Sequence, residues 1–203
     1  MIERGKYFTV KSRNGPFEIK IKGSRFISYI YPVSRQEKAE EILEGLRKEF
    51  FNSTHVCFGY RIGEGEEKSV RYSDDGEPSG TAGLPVFNEI KCNGLFNVLI
   101  AVIRYYGGTK LGTGGLSRAY RESAKKSIDN SSITETVVCE NRQIVIPYGF
   151  MSDLMNIVNR FSVKIINKDY TDKNIKIELE IPVNQYEQVS TNLSNFSKGK
   201  IKL

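Results

Sequence analysis

The stretch from Arg104 to Ile128, R-Y-Y-G-G-T-K-L-G-T-G-G-L-S-R-A-Y-R-E-S-A-K-K-S-I, constrains the fold more than any other part of this sequence. It follows a run from Phe96 to Ile103 that is apolar except at Asn97, and a short run of this kind predicts a strand covered on both faces. Gly107, Gly108, Gly112, Gly114 and Gly115 then crowd one loop. Glycine accepts positive φ and lets other groups come close to the backbone, so the loop is suited to a tight path or to contact with a ligand. From Leu116 a helix is expected. Leu116, Ala119, Tyr120, Ser123, Ala124, Ser127 and Ile128 recur at three- and four-residue steps and form a small-residue packing stripe. Arg118, Arg121, Lys125 and Lys126 fall off that stripe, opposed only by Glu122.

A helix N-terminus carries unsatisfied N–H groups and the positive end of the helix dipole, so the loop reads as an anion seat. It matches neither common nucleotide signature. Thr113 follows Gly112 where a Walker loop needs Lys, and Ser117 stands at the third glycine place of G-x-G-x-x-G. Glycines after a buried strand also serve simply to turn the chain.

Charge is uneven along the chain. The formal net charge is +6. Residues 1–134 hold 21 Lys+Arg against 16 Asp+Glu, and residues 135–203 hold 9 against 8. The surplus suits nucleic acid or an acidic protein surface. No apolar run is long enough for a bilayer, and the N-terminal M-I-E-R-G-K-Y-F has no signal-peptide core. Cys57, Cys92 and Cys139 lack C-x-x-C spacing, so neither a disulfide framework nor a zinc site is indicated. A cytoplasmic protein without metal or cofactor is expected.

The order of elements predicts an α+β protein of two domains, 1–134 and 135–203, with the boundary near Ser131 to Glu135. In the first, strands are expected up to Lys22, over Ser24–Val33 and over Thr54–Arg61. Another is expected over Lys68–Tyr72, after the turn G-E-G-E-E. Ser34 and Glu37 suggest a capping box for a helix whose apolar face is Ala39, Ile42, Leu43, Leu46 and Phe50. Asp74, Asp75 and Glu77 stand in S-D-D-G-E-P-S-G-T-A-G-L-P; they lack calcium-loop spacing and read as an Asp-Gly turn before a short helix over Leu84–Ile90. His55 and Cys57 share one strand face and point the same way, which argues against a reactive pair. In the second domain, strand Arg142–Tyr148, helix Phe150–Phe161, a hairpin of Val163–Lys168 and Asn174–Ile181, helix Val183–Phe196 and a last strand in K-G-K-I-K-L give the βαββαβ ferredoxin-like order.

Four motifs, S-R-F-I, T-H-V-C-F-G-Y-R, D-D-G-E-P-S-G-T-A-G-L-P and R-Y-Y-G-G-T-K-L-G-T-G-G-L-S-R-A-Y, resemble the YigZ/IMPACT family over nearly the whole chain. The resemblance implies an N-terminal IMPACT domain with the β-α sandwich also seen in a small-subunit ribosomal protein, elongation factor domains and GHMP kinases. It also implies a ferredoxin-like C-terminal domain similar to those of elongation factor G. Eukaryotic members carry an RWD domain in front, for which this sequence shows no counterpart. Their competition for the activator of a stress kinase is therefore not carried over whole.

Placed residue by residue, the family's shared surface includes Arg25, His55, Tyr60, Arg61, Asp74, Asp75, Glu77, Ser79, Thr81, Arg104, Lys110 and Arg118, none with an implied catalytic role. The expected anion or nucleic-acid site is Arg104, Lys110, Gly112, Thr113, Gly114, Gly115, Arg118, Arg121 and Lys125. Arg25, His55, Arg61, Asp74, Asp75, Glu77, Ser79 and Thr81 form its supporting surface. The first reading is a protein that binds RNA or the ribosome in translation control, with Tyr105 and Tyr106 available to stack bases. A second is a protein–protein module of translation control that uses the same basic helix. A third is an enzyme on a phosphorylated small molecule, with Asp74 or Asp75 holding Mg²⁺.

Overall fold

The structure is a computed structural model that describes residues 5–63, 69–197, 199 and 201. Most of the expected turn after Gly63, and all of the expected last strand except Gly199 and Ile201, lie outside the described residues. The chain forms two compact units, Tyr7–Thr136 and Val137–Leu203, and the second also takes in Gly5 and Lys6.

In chain order the first unit contains β1 (Lys6–Val10), β2 (Asn14–Ile21), β3 (Ser24–Pro32), α1 (Gln36–Glu49), β4 (His55–Ile62), β5 (Ser69–Ser73), α2 (Gly83–Cys92), β6 (Val98–Tyr105), α3 (Gly112–Asp129) and β7 (Ile133–Val137). Five strands make one sheet in the order β2-β3-β6-β4-β5, and β1 pairs with β7 in a separate two-stranded sheet. β6 lies at the centre, antiparallel to β3 and to β4.

The alternation of side chains along β6 splits its apolar run between two cores. Val98, Ile100 and Val102 join Val86 and Ile90 of α2 and Leu116, Ala119, Tyr120 and Ala124 of α3. Leu99, Ala101 and Ile103 join Ala39, Leu43 and Leu46 of α1. Helices on both faces explain why this strand shows no polar alternation.

Three local expectations change. α1 begins at Gln36 with Arg35 as its N-cap, and no side chain caps it. Val33 is buried and gives its N–H to Asn97 O at 2.8 Å, the chain bends at Ser34 and Arg35, and the Ser34 hydroxyl is left one residue short of the capping position. The single strand expected through Lys22 is two, β1 and β2. The polar stretch 131–135 holds the start of β7, whose Ile133 is 42% exposed, so no buried alternation marks it in the sequence.

The second unit contains β8 (Cys139–Pro147), α4 (Met151–Arg160), β9 (Lys164–Tyr170), β10 (Asn174–Pro182) and α5 (Tyr186–Phe196), with a short 3-10 turn before each helix. Its sheet runs β8-β10-β9, with β10 antiparallel to both neighbours. Ile144, Ile146, Ile175, Ile177, Leu179 and Ile181 pack against Leu154 and Ile157 of α4 and Val189 and Leu193 of α5.

One close approach joins the sheet to the glycine loop. A Cβ on Gly107 would lie 1.9 Å from the Gly23 carbonyl carbon, and the contact lets Gly107 N–H reach Ser24 Oγ at 3.1 Å. Gly107→Ala is therefore expected to lower the unfolding free energy by about 1–3 kcal/mol, the usual cost of forcing atoms into filled space. Urea denaturation of the variant checks this.

Candidate functional site

The floor of the site is a row of cross-strand neighbours. Phe26 on β3 and His55 on β4 both pair with Arg104 on β6. Arg104 continues the row of Val98, Ile100 and Val102, so its charge is carried to the face covered by α2 and α3. A buried guanidinium requires a counter-charge. Glu77 supplies it: Arg104 Nη1 donates to Glu77 Oε1 at 2.5 Å, and the two side chains are 5% and 4% exposed. Arg104 Nη2 donates to Ser24 Oγ at 3.2 Å. From α3, Tyr120 donates its hydroxyl to the same Oε1 at 2.8 Å, and His55 Nε2 lies 3.8 Å from that oxygen.

Glu77 reaches this position through the turn that follows β5. Glu77 N–H closes on Asp74 O at 2.9 Å, and the central residues Asp75 and Gly76 have φ of 46° and 90°, the pair of positive values a type I′ turn requires. The Asp74 carboxylate accepts N–H bonds from Gly80, Ala82 and Gly83 at 2.8, 2.8 and 2.9 Å, and so caps α2 from outside the helix. Asp75 Oδ2 accepts the Val56 N–H at 2.7 Å. Its carbonyl oxygen lies 2.8 Å from His55 Nδ1, which must carry the hydrogen there. All three carboxylates thus serve protein donors, and among the described residues no group of three His, Cys, Asp or Glu side chains is placed to hold a metal ion.

Cys57 is fully buried. Its thiol contacts Asp74 O at 3.0 Å and Tyr120 Oη at 3.3 Å, and burial pushes its pKa far up from the ordinary value. Burial does the same to the Tyr120 phenol. Both stay protonated across the working pH range, so Cys57 is a packing residue and not a thiolate nucleophile.

Above this floor lies a cavity of about 340 Å³ lined by Glu77, Pro78, Arg104, Tyr106, Lys110, Leu111, Gly112, Thr113 and Leu116. Glu77, Arg104 and Leu116 are its buried members, whereas Tyr106, Lys110, Gly112 and Thr113 are exposed at the rim. α3 starts here, earlier than its apolar stripe suggests. Leu111 is its N-cap, no side chain caps it, and its first turn holds no acidic residue. Gly114 costs this helix about 1 kcal/mol relative to alanine. Nothing lies within 4 Å of where its Cβ would be.

The other expected site residues spread outward. Gly115 packs on Leu111, whose Cβ would be 3.2 Å from an added methyl. Arg118 is exposed and, like Lys110, makes no ion pair among the described residues. Arg121 lies 3.6 Å from Glu89, Lys125 lies 3.1 Å from Asp129, and Lys126 donates to Glu18 O. Arg25 of β3 pairs with Glu18 of β2 at 2.9 Å and lies over the Tyr105 ring. Arg61 stacks on Phe96, 3.5 Å from the ring centre, away from the cavity lining. Thr81 is buried and donates to Pro78 O at 2.6 Å, and Ser79 is exposed.

Residues 22–128 match the family model of the Impact N-terminal domain. The IMPACT family member YvyE of Bacillus subtilis (strain 168) is 33% identical over 194 residues, covering 96% of this chain and 88% of its own. The chain belongs to the IMPACT family. The IMPACT family member YigZ of Escherichia coli (strain K12) is 29% identical over 185 residues, 91% of this chain and 90% of its own. A solved structure titled only as a hypothetical protein superimposes with a TM-score of 0.76 at 27% identity, covering 98% of this chain and 96% of that one. Every side chain of the floor and every residue lining the cavity falls inside the IMPACT match.

Sequence reasoning placed the rim but missed parts of the floor. Ser24 and Tyr120 entered it as a strand residue and a packing residue. The one available signal was a large side chain with a polar tip inside the Ala/Ser stripe of α3, since a buried tyrosine hydroxyl needs a partner.

Removing one member of the buried pair leaves an uncompensated charge. Arg104→Met alone is expected to destabilise the protein by about 3–5 kcal/mol, and adding Glu77→Gln to recover most of the loss. A double-mutant cycle by urea denaturation measures it; additive effects of the two changes would show that the pair does not act as a unit.

Proposed function

We propose that this protein binds RNA, with the mouth of α3 and the adjoining basic surface as its phosphate seat, and that it acts in translation control on or near the ribosome. The observation that carries the reading is the bare N-terminus of α3, which opens onto a cavity whose rim holds Lys110. Free N–H groups, the helix dipole and a lysine converge on one spot, a combination that suits a phosphate. Gly112, Thr113, Gly114 and Gly115 supply the backbone of that seat. Arg118 extends the positive surface along α3, with Arg121 and Lys125 as weaker contributors because each has an acidic neighbour.

Arg104 acts from the floor. It holds Glu77, and together the two leave Lys110 and the helix end as the net positive contribution. Tyr106, 47% exposed, offers a ring on which a base stacks. In the same reading the first unit is the IMPACT domain, and the second, with strands ordered β8-β10-β9, α4 after β8 and α5 after β10, is ferredoxin-like. Residues 1–134 and 135–203 serve as their working boundaries. The family resemblance supports the link to translation.

Fluorescence anisotropy with single-stranded RNA tests the reading. Affinity is expected to fall with salt, and Lys110→Glu with Arg118→Glu to flatten the log–log salt slope by ~0.7 per lost phosphate contact. Binding that ignores salt, or that survives both reversals unchanged, overturns it.

A further inference from the structure

The cavity itself is more selective than a basic surface needs to be. At about 340 Å³ it lies at the small end of the ~300–1,000 Å³ range of ligand pockets, which suits a single unpaired nucleotide unit. Its floor, Glu77 and Arg104, is buried, and its rim is exposed. A chain end can seat in such a cup, whereas an internal phosphate must bring a nucleotide in on each side.

Charge points the same way. An internal phosphodiester carries one negative charge, and a terminal monoester about −1.5 to −2 at pH 7. A helix N-terminus with no acidic residue in its first turn, Lys110 beside it, and a floor neutralised by its own ion pair favour the greater charge. A second feature is independent of the helix end. Arg104, 5% exposed and lining the cavity, has no acceptor for its Nε–H among the described residues. A buried donor without a partner is costly, so this guanidinium keeps hydrogen-bonding capacity that its contacts with Glu77 and Ser24 do not use.

Resting on the RNA-binding reading above, we propose that the cavity takes the terminal phosphate monoester of a single-stranded RNA, with the terminal base against Tyr106. The monoester oxygens accept from the first-turn N–H groups of α3 and from Lys110. The ring of Tyr106 lies at the same rim, 5.5 Å from the Arg104 guanidinium.

The test uses one short single-stranded RNA in three forms, with a 5′-phosphate, with a 3′-phosphate, and with hydroxyls at both ends, titrated against the full chain by anisotropy. One monophosphorylated form is expected to bind about tenfold tighter than the hydroxyl form, as charge-assisted hydrogen bonds would give. Which form it is identifies the end that is read. The advantage is expected to shrink as pH falls below ~6, where the monoester gains a proton. Thr113→Glu places a carboxylate in the first turn, where it stabilises the helix, so the protein stays folded while the preference is lost.

Equal binding of all three forms overturns this inference and leaves the RNA reading standing. So does a preference that persists in Thr113→Glu, because the phosphate is then seated elsewhere. Failure of every form to bind retires the RNA reading and this inference with it.

Discussion

The buried ion pair between Glu77 and Arg104 ties together elements that are far apart in the chain. Two opposite charges at 2.5 Å, each at least 95% buried, are acceptable in a protein interior only when the surrounding hydrogen bonds are also made. Here the turn after β5 presents the carboxylate, β6 the guanidinium, β3 the Ser24 hydroxyl and α3 the Tyr120 phenol. If the turn shifted, Arg104 would lose its counter-charge. If α3 rotated, Glu77 would lose a donor. The pair therefore sets where the acidic turn and the basic helix stand relative to the sheet.

The cavity follows from that arrangement. β6 runs through the centre of the sheet and ends at Tyr105, the chain crosses Gly23 at Gly107, and α3 starts at Gly112. The Tyr120 contact holds the inner face of α3 on the floor, which aims the start of the helix over Glu77 and Arg104. The acidic residues of the turn, read in the sequence as an Asp-Gly turn, each serve a protein donor. Asp74 caps α2, Asp75 anchors β4, and Glu77 neutralises Arg104.

Much of the fold was legible because periodicity is a local property. The apolar run of β6 and the stripe on α3 declared themselves, as did the alternating Ile175, Ile177, Leu179 and Ile181 of β10. Features that depend on partners distant in sequence did not. The Glu77–Arg104 contact spans 27 positions, and nothing in D-D-G-E-P indicates that Asp74 and Asp75 would serve backbone N–H groups while Glu77 serves Arg104. The capping box at Ser34 failed because Val33 is tied to Asn97, an interaction across 64 positions, and the helix begins only after Arg35. β7 went unseen because its apolar residues stay half exposed. Arg104, Glu77 and His55 were singled out by their motifs, but their mutual contacts, and the parts of Ser24 and Tyr120 in them, were not legible.

In the proposed reading, the first turn of α3 is the contact point for RNA phosphate. Amide hydrogen exchange of the free and RNA-bound protein tests it most directly, since those N–H groups have no partner within the helix. RNA binding is expected to slow exchange at Gly112, Thr113 and Gly114, together with Lys110, with little change on the outer strands of either unit. Protection confined to other elements, with the start of α3 unaltered, would contradict it.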